Sequence, residues 1–213
     1  MSSILKVDQL QDSSGNNIIN ESSNTITIGA SGDTITIPSG ATLDGSNATL
    51  TGIASTNGIT MADKFKLGAT LSNASDGTVF TSNLERSDDA TFAKIGTGMT
   101  ESSGIFTYPT TGLYKVIWNF IIYTSSDAAV NLFIAVSSDS GSNYDQVARG
   151  LQGVSGSLAV YNTGTVSTYV NVTNSSTFRT KFEISSVANT TSFAGNASYD
   201  TTSLEFIRLG DSQ

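Results

Sequence analysis

Tyr114-Lys-Val-Ile-Trp-Asn-Phe-Ile-Ile-Tyr123 decides the fold. Tyr114, Val116, Trp118, Phe120 and Ile122 fall on one face of an extended chain, because successive side chains of a strand point to opposite sides. Leu113, Ile117, Ile121 and Tyr123 fall on the other. A strand that is apolar on both sides is covered on both sides. In a two-layer sandwich one cover is the second sheet, and the other must be a neighbouring subunit. The same alternation recurs at Val130, Leu132, Ile134 and Val136, and at Val166, Thr168, Val170 and Val172. It recurs again at Phe178, Thr180, Phe182 and Ile184, set against Arg179, Lys181 and Glu183, and a last strand is expected over Ser203-Leu-Glu-Phe-Ile-Arg-Leu209. No segment carries a helical period. Antiparallel strands with one wet face, joined by Gly, Ser and Asn turns, predict an all-β sandwich or barrel over residues 61–213. Its expected core includes Phe106, Tyr114, Trp118, Phe120, Phe178 and Phe182.

The region before Phe65 is built differently. It holds no aromatic residue, only isolated Ile, Leu and Val among Ser, Thr, Asn and Gly. Aromatic side chains supply much of the buried area of a small core, so this part cannot offset its own chain entropy as a monomer. It is either disordered or shares a core with other copies. Thr25-Ile-Thr-Ile-Gly29 returns nine residues later as Thr34-Ile-Thr-Ile-Pro38, and the pattern continues through Leu43 and Leu50. Such short alternating units separated by turns must stack or associate to bury an apolar face. A trimeric β-shaft over residues 18–60 is expected, with Ile19, Ile26, Ile28, Ile35, Ile37, Leu43 and Leu50 turned toward a common axis. A Ser/Gly-rich linker is the alternative. Residues 1–17 cluster Ile4, Leu5, Val7 and Leu10; they read as a short element that docks on a partner, or as a frayed end.

Composition excludes much chemistry. The 213 residues include no Cys and no His. Disulfides, thiolate nucleophiles, Ser-His-Asp catalysis and Cys- or His-ligated metals are therefore closed. Charged residues are 13 % of the chain, the net charge is −8, and the four Arg are scattered at Arg86, Arg149, Arg179 and Arg208, so nucleic-acid binding is not expected. Ser and Thr make up roughly 30 % of the residues, well above the ordinary background. Met1-Ser-Ser-Ile-Leu-Lys-Val-Asp8 shows neither a basic n-region nor an apolar stretch of signal length, and no window is long enough to span a membrane. Synthesis in the cytosol without membrane insertion is the expectation.

Little catalytic potential remains. Asp88 and Asp89 are adjacent and would face opposite sides of a strand, while Glu85, Glu101, Glu183 and Glu205 are isolated. None forms a carboxylate pair for glycoside hydrolysis. Asp139-Ser-Gly-Ser-Asn-Tyr-Asp145 has acidic residues but not the spacing of a calcium loop, and a solvated turn is the simpler reading. No enzyme, cofactor or metal is expected. Tyr144, Tyr161 and Tyr199 stand beside polar turns, as residues that stack on sugars do. They are candidate receptor contacts, or else caps on their sheet edges.

Gly104-Ile-Phe-Thr-Tyr-Pro-Thr-Thr-Gly-Leu-Tyr-Lys-Val116 resembles the signature of C1q-like domains, carried by Phe106, Pro109, Gly112, Leu113 and Tyr114. The resemblance covers about 150 residues, from Met61 onward. It implies a ten-strand jelly roll of the C1q and tumour-necrosis-factor type that assembles as a homotrimer, often at the end of a stalk. Asn83-Leu-Glu-Arg86, Ile95-Gly-Thr-Gly-Met-Thr-Glu-Ser-Ser-Gly-Ile-Phe106 and the opening Ser3-Ile-Leu-Lys-Val-Asp-Gln-Leu-Gln-Asp-Ser-Ser-Gly15 are similar to virion proteins of marine bacteriophages, cyanophages especially. That resemblance implies a non-enzymatic tail fibre or spike released in the virion on lysis. Its N-terminus would bind other virion proteins, and its tip a host-surface glycan or protein. The large adaptor domain of T7-like tail fibres has no counterpart here. A capsid decoration or head-fibre protein is the alternative. An extracellular signalling ligand is disfavoured for want of a signal peptide.

Overall fold

The computed structural model describes residues 9–15, 17–23, 25–29, 31–42, 58–78, 80–87, 94–124, 129–153, 160–187 and 191–213. The chain divides into two units, Met1–Ala54 and Ser55–Gln213. All regular structure among the described residues is β.

The first unit is a small antiparallel meander of β1 (Gln9–Gln11), β2 (Asn17–Ser22) and β3 (Thr25–Ile28), in that spatial order. Here the structure departs from the expected train of repeats. Thr25–Ile28 is a strand, but its counterpart, residues 34–37, is not. Gly29 and Gly32 lie at φ +82° and +95°, a left-handed turn that leads the chain away from β3. Pro38 then has no N–H for a ladder, and its carbonyl instead accepts from the Ala41 N–H in a turn. The ladders among the described residues of this unit run from β1 to β2 and from β2 to β3 of the same chain. Of the expected shaft residues, Ile19, Ile26 and Ile28 sit on strands and Ile35 and Ile37 do not, and all five are exposed. Leu43 and Leu50 lie outside the described residues, as do Ile4, Leu5 and Val7 of the expected anchor; Leu10 lies in β1.

The second unit is a sandwich of two antiparallel sheets. One contains β4 (Met61–Leu67), β5 (Leu71–Ala74), β7 (Leu84–Arg86), β10 (Gly112–Thr124), β13 (Val160–Val172), β15 (Thr191–Phe193) and β16 (Ser203–Gly210). The other contains β6 (Gly77–Thr78), β8 (Thr100–Ser102), β9 (Ile105–Thr107), β11 (Ala129–Ser137), β12 (Asp145–Gly153) and β14 (Arg179–Ser185). The central strand of the first sheet is β10. One of its edges pairs with β13 along all of 112–124; its other edge is shared by β16, opposite 113–119, and β15, opposite 122 and 123. Strand β4 then adds to the far edge of β16. In the second sheet β14 joins β11 on one side to β9 and β6 on the other. Consecutive strands thus cross repeatedly between the two sheets, which is jelly-roll connectivity.

The core lies between these sheets. Along β10 burial alternates without exception, the even-numbered side chains 112–124 buried and the odd-numbered ones half-buried. The inward rings form one aromatic cluster. Trp118 meets Phe80 and Phe182 edge-on at 5.4 and 5.5 Å and stacks on Phe193 at 5.8 Å. Phe106 meets Phe65 at 5.2 Å, Phe182 at 5.7 Å and Phe206 at 4.9 Å. Phe106, Tyr114, Trp118, Phe120 and Phe182 are buried. Phe178 is only partly so: it precedes β14, in a turn where its N–H donates to the Asn174 carbonyl, and packs on the cluster from the side.

Gly112 opens β10 at φ +151°, a conformation an L side chain rarely adopts. A Cβ there would lie 2.5 Å from Arg208 Nε and 2.7 Å from the Gly210 carbonyl oxygen. Gly112→Ala should therefore lower the stability of this unit by about 1–3 kcal/mol, read from its urea midpoint; an unchanged midpoint would show that β16 can move aside.

Candidate functional site

The candidate site is the outer face of the β10 sheet. The strand registers place its side chains in rows. Tyr169, Lys115, Ile207 and Ala62 align across β13, β10, β16 and β4, and the next row is Ser167, Ile117, Glu205 and Lys64. Further along come Thr165, Asn119 and Ser203, then Thr163 with Ile121, and last Tyr161 with Tyr123. Two apolar zones result. One is built on Leu113, Ile117, Tyr169 and Ile207, the other on Ile121, Tyr123 and Tyr161.

A hydrogen-bonded band separates them. Thr165 Oγ1 donates to Asn119 Oδ1 at 2.7 Å, and Asn119 Nδ2 donates to Glu205 Oε1 at 3.0 Å. The Lys115 ammonium sits 4.4 Å from the centre of the Tyr169 ring, a cation–π contact. The Tyr123 and Tyr161 rings are 4.9 Å apart. Every odd position of β10 from Leu113 to Tyr123 is half-buried, while Tyr161, Tyr169 and Leu209 are exposed. The face therefore holds two apolar zones incompletely covered in one chain, with Thr165, Asn119 and Glu205 bonded to one another between them and Lys64 paired to Asp200. Sequence reading reaches the β10 contribution but misses Tyr169 and Ile207. The available signal was the alternation of Tyr169 with buried Val170, and of Ile207 with buried Phe206.

The three tyrosines picked from sequence do not converge. Tyr144 lies in the link from β11 to β12, at the end of the sandwich where β10 begins and β16 ends. Its ring covers the Lys181 ammonium at 4.2 Å, and burial raises its hydroxyl pKa. Tyr161 stands at the opposite end, on the outer face of the other sheet. Tyr199 is exposed in the link between β15 and β16.

The acidic turn before Tyr144 is closed on itself. Asp139 Oδ1 accepts from the Asn143 N–H at 2.9 Å and from Ser137 Oγ at 2.7 Å, while Oδ2 accepts from Asn143 Nδ2 at 2.7 Å. These bonds, the Asn143 backbone first, hold the Asp139 carboxyl down to about 2. Both oxygens are thus engaged within the turn. Among the described residues no three of His, Cys, Asp and Glu come together as a metal site would require. Asp88 and Asp89 lie outside the described residues.

A cleft of about 490 Å³ beside β4 and β7 is lined by Phe65, Glu85, Arg86, Lys94 and Glu101 among others. Its charged groups are engaged structurally. Arg86 Nε and Nη2 each donate to the buried Asp63 carboxylate at 3.0 Å, and Nη2 also donates to the Met99 carbonyl at 2.6 Å. The Met99 N–H donates back to Asp63 at 2.7 Å. Lys94 donates to the Thr97 carbonyl, and Glu101 accepts from the Gly104 N–H. Nearby, buried Lys66 donates to the Ala197 carbonyl at 2.6 Å and lies 3.5 Å from Glu85.

Sheet order and comparison define the class together. Eiger TNF from S. frugiperda matches with a TM-score of 0.53 at 11 % identity, over 73 % of this chain and 96 % of that one. Murine APRIL at pH 8.0 matches with a TM-score of 0.49 at 11 % identity, over 70 % of this chain and 98 % of that one. No family profile matches the chain, and no curated protein matches it in sequence. The second unit is a jelly roll of tumour-necrosis-factor type, in keeping with the C1q/TNF-like resemblance of residues 104–116.

Proposed function

We propose that the chain is a non-enzymatic structural protein of a bacteriophage virion, a homotrimeric tail fibre or spike whose jelly-roll end meets the host surface. The observation that carries the trimer is the outer face of β10. Leu113, Ile117, Ile121 and Tyr123 form an apolar stripe that a lone sandwich leaves half in water, which soluble monomers avoid on this scale. Thr165, Asn119 and Glu205 bond to one another across it, so these groups keep partners when the face is covered by copies of itself. The virion assignment rests on the likeness of residues 3–15 and 83–106 to marine phage proteins. In this reading residues 1–17 hold the chain to other virion proteins, and exposed loops and tyrosines of the jelly roll recognise a surface glycan or protein.

Light scattering on the full chain after size exclusion should give a mass near three chains, and a mass of one chain overturns the trimer. Ile117→Asp places a charge in the proposed interface and should raise the concentration at which the trimer dissociates at least about tenfold. An unchanged dissociation would move the interface elsewhere. An antibody to the chain should decorate phage particles from a lysate in which it is made. Label at the tail fits a fibre, label over the head fits the decoration protein, and unlabelled particles overturn the virion reading.

A further inference from the structure

The polar band on the outer face of the β10 sheet crosses three strands. Thr165 comes from β13, Asn119 from β10 and Glu205 from β16, joined by the two bonds of 2.7 and 3.0 Å. Asn119 and Glu205 are half-buried. Glu205 stands opposite Lys64 in the ladder, but the Lys64 ammonium is paired to Asp200. The band thus interrupts the face with a carboxylate whose direct bond is to a neutral amide. On one side of it stand Leu113, Ile117, Tyr169 and Ile207, and on the other Ile121, Tyr123 and Tyr161.

We propose that Thr165, Asn119 and Glu205 set the register of self-association on this face, so that copies close as a ring instead of adding on in a staggered series. The inference rests on the trimer proposed above and goes beyond it, because it assigns the choice between closed and open assembly to three side chains. The two zones are alike in chemistry, and apolar attraction is non-directional. Alone, it would accept a copy displaced along β10 by four residues, on the order of 13 Å, which brings Ile117 level with a neighbour's Ile121. Contacts displaced in this way do not close, and they continue as a filament. In a closed ring, equivalent residues stand at one height along the symmetry axis, so band meets band and Glu205 meets polar side chains. In a displaced copy the band faces an apolar zone, and the carboxylate is shut off from water against aliphatic groups. Burying a charge without such partners is costly, so the displaced register is rejected. A polar residue in an apolar coiled-coil seam fixes register and copy number on the same principle.

The test compares full-length chains by analytical ultracentrifugation over a range of concentrations. The unaltered chain should give a single three-chain species. Asn119→Leu, Thr165→Val and Glu205→Leu combined should raise the share of mass above three chains at least about tenfold. Thr163→Val with Ser167→Val is the control. Both positions lie on the same face in the rows flanking Thr165, so this variant gains apolar surface while keeping the band, and it should stay at three chains. Glu205→Gln keeps the shape of the side chain and its bond from Asn119 but removes the charge. It stands in where circular dichroism shows the triple variant unfolded, and should raise the same share at least about threefold. A folded triple variant that holds at three chains overturns the inference and leaves the trimer standing, as does Glu205→Gln holding there in its place. Higher masses for the control overturn it too, because added apolar surface alone then accounts for them. A one-chain mass for the unaltered chain overturns the trimer itself, and this inference falls with it.

Discussion

Trp118→Ala should destabilise the jelly roll by about 3–5 kcal/mol, the cost usual for removing a large aromatic from a core. The whole stability of such a domain is about 5–15 kcal/mol, so the variant stands close to unfolding at room temperature. The size of the effect follows from the surroundings. Phe80, Phe120, Phe182 and Phe193 all pack on the indole, Phe120 and Phe193 from its own sheet, Phe182 from the opposing one and Phe80 from a loop. The space cannot collapse without separating the other ring pairs. Trp118→Phe should cost much less, because the indole N–H has no hydrogen-bond partner and its loss removes a buried unsatisfied donor. Urea unfolding followed by circular dichroism measures both. A loss below about 1 kcal/mol for the alanine variant would mean the aromatic cluster repacks freely.

The second large effect is expected at Arg86. The Asp63 side chain is fully buried, and Arg86 is the cation that meets it, through two hydrogen bonds of 3.0 Å. Arg86→Met leaves that carboxylate in the interior with, among the described residues, the Met99 N–H as its remaining charge-stabilising contact. Breaking a buried pair from one side costs about 3–5 kcal/mol. Because the Met99 N–H stays and the Arg86 side chain is itself 40 % exposed, the lower end, about 3 kcal/mol, is expected. The double variant Asp63→Leu, Arg86→Met removes both charges and should recover most of the loss. The cycle is decisive on the mechanism: equal destabilisation of single and double variants would show that packing of the Arg86 stem on Phe65, 4.7 Å from the ring centre, matters more than the charge.

The sequence displays those strands whose burial alternates cleanly. β10, β11, β14 and β16 read directly because each sets apolar side chains toward the opposing sheet at every second position. Strand β4 is obscure for a physical reason. It carries Asp63 and Lys66 at buried positions, and charges there argue against a strand until Arg86 and the Ala197 carbonyl are seen to meet them. Strand β12 is hidden for another reason. It lies at the edge of its sheet, and Val147 and Leu151 face solvent on it. The Thr-Ile repeat does not give two like strands, because like composition does not ensure like backbone: Gly29, Gly32 and Pro38 divert residues 34–37 from the sheet. The tyrosines show the matching limit for sites. A polar turn beside an aromatic residue marks a loop, but only the order of strands tells which end of the sandwich carries it.

The same Trp118 that anchors the core is the molecule's only indole, held dry among phenylalanine rings. No aromatic residue precedes Phe65, so residues 1–64 contain no near-ultraviolet chromophore. Intrinsic fluorescence therefore reports on the jelly roll alone, and a loosened N-terminal sheet leaves it unchanged. The two units come optically separated, and a melt watched by tryptophan emission beside one watched by backbone dichroism distinguishes their transitions without any label.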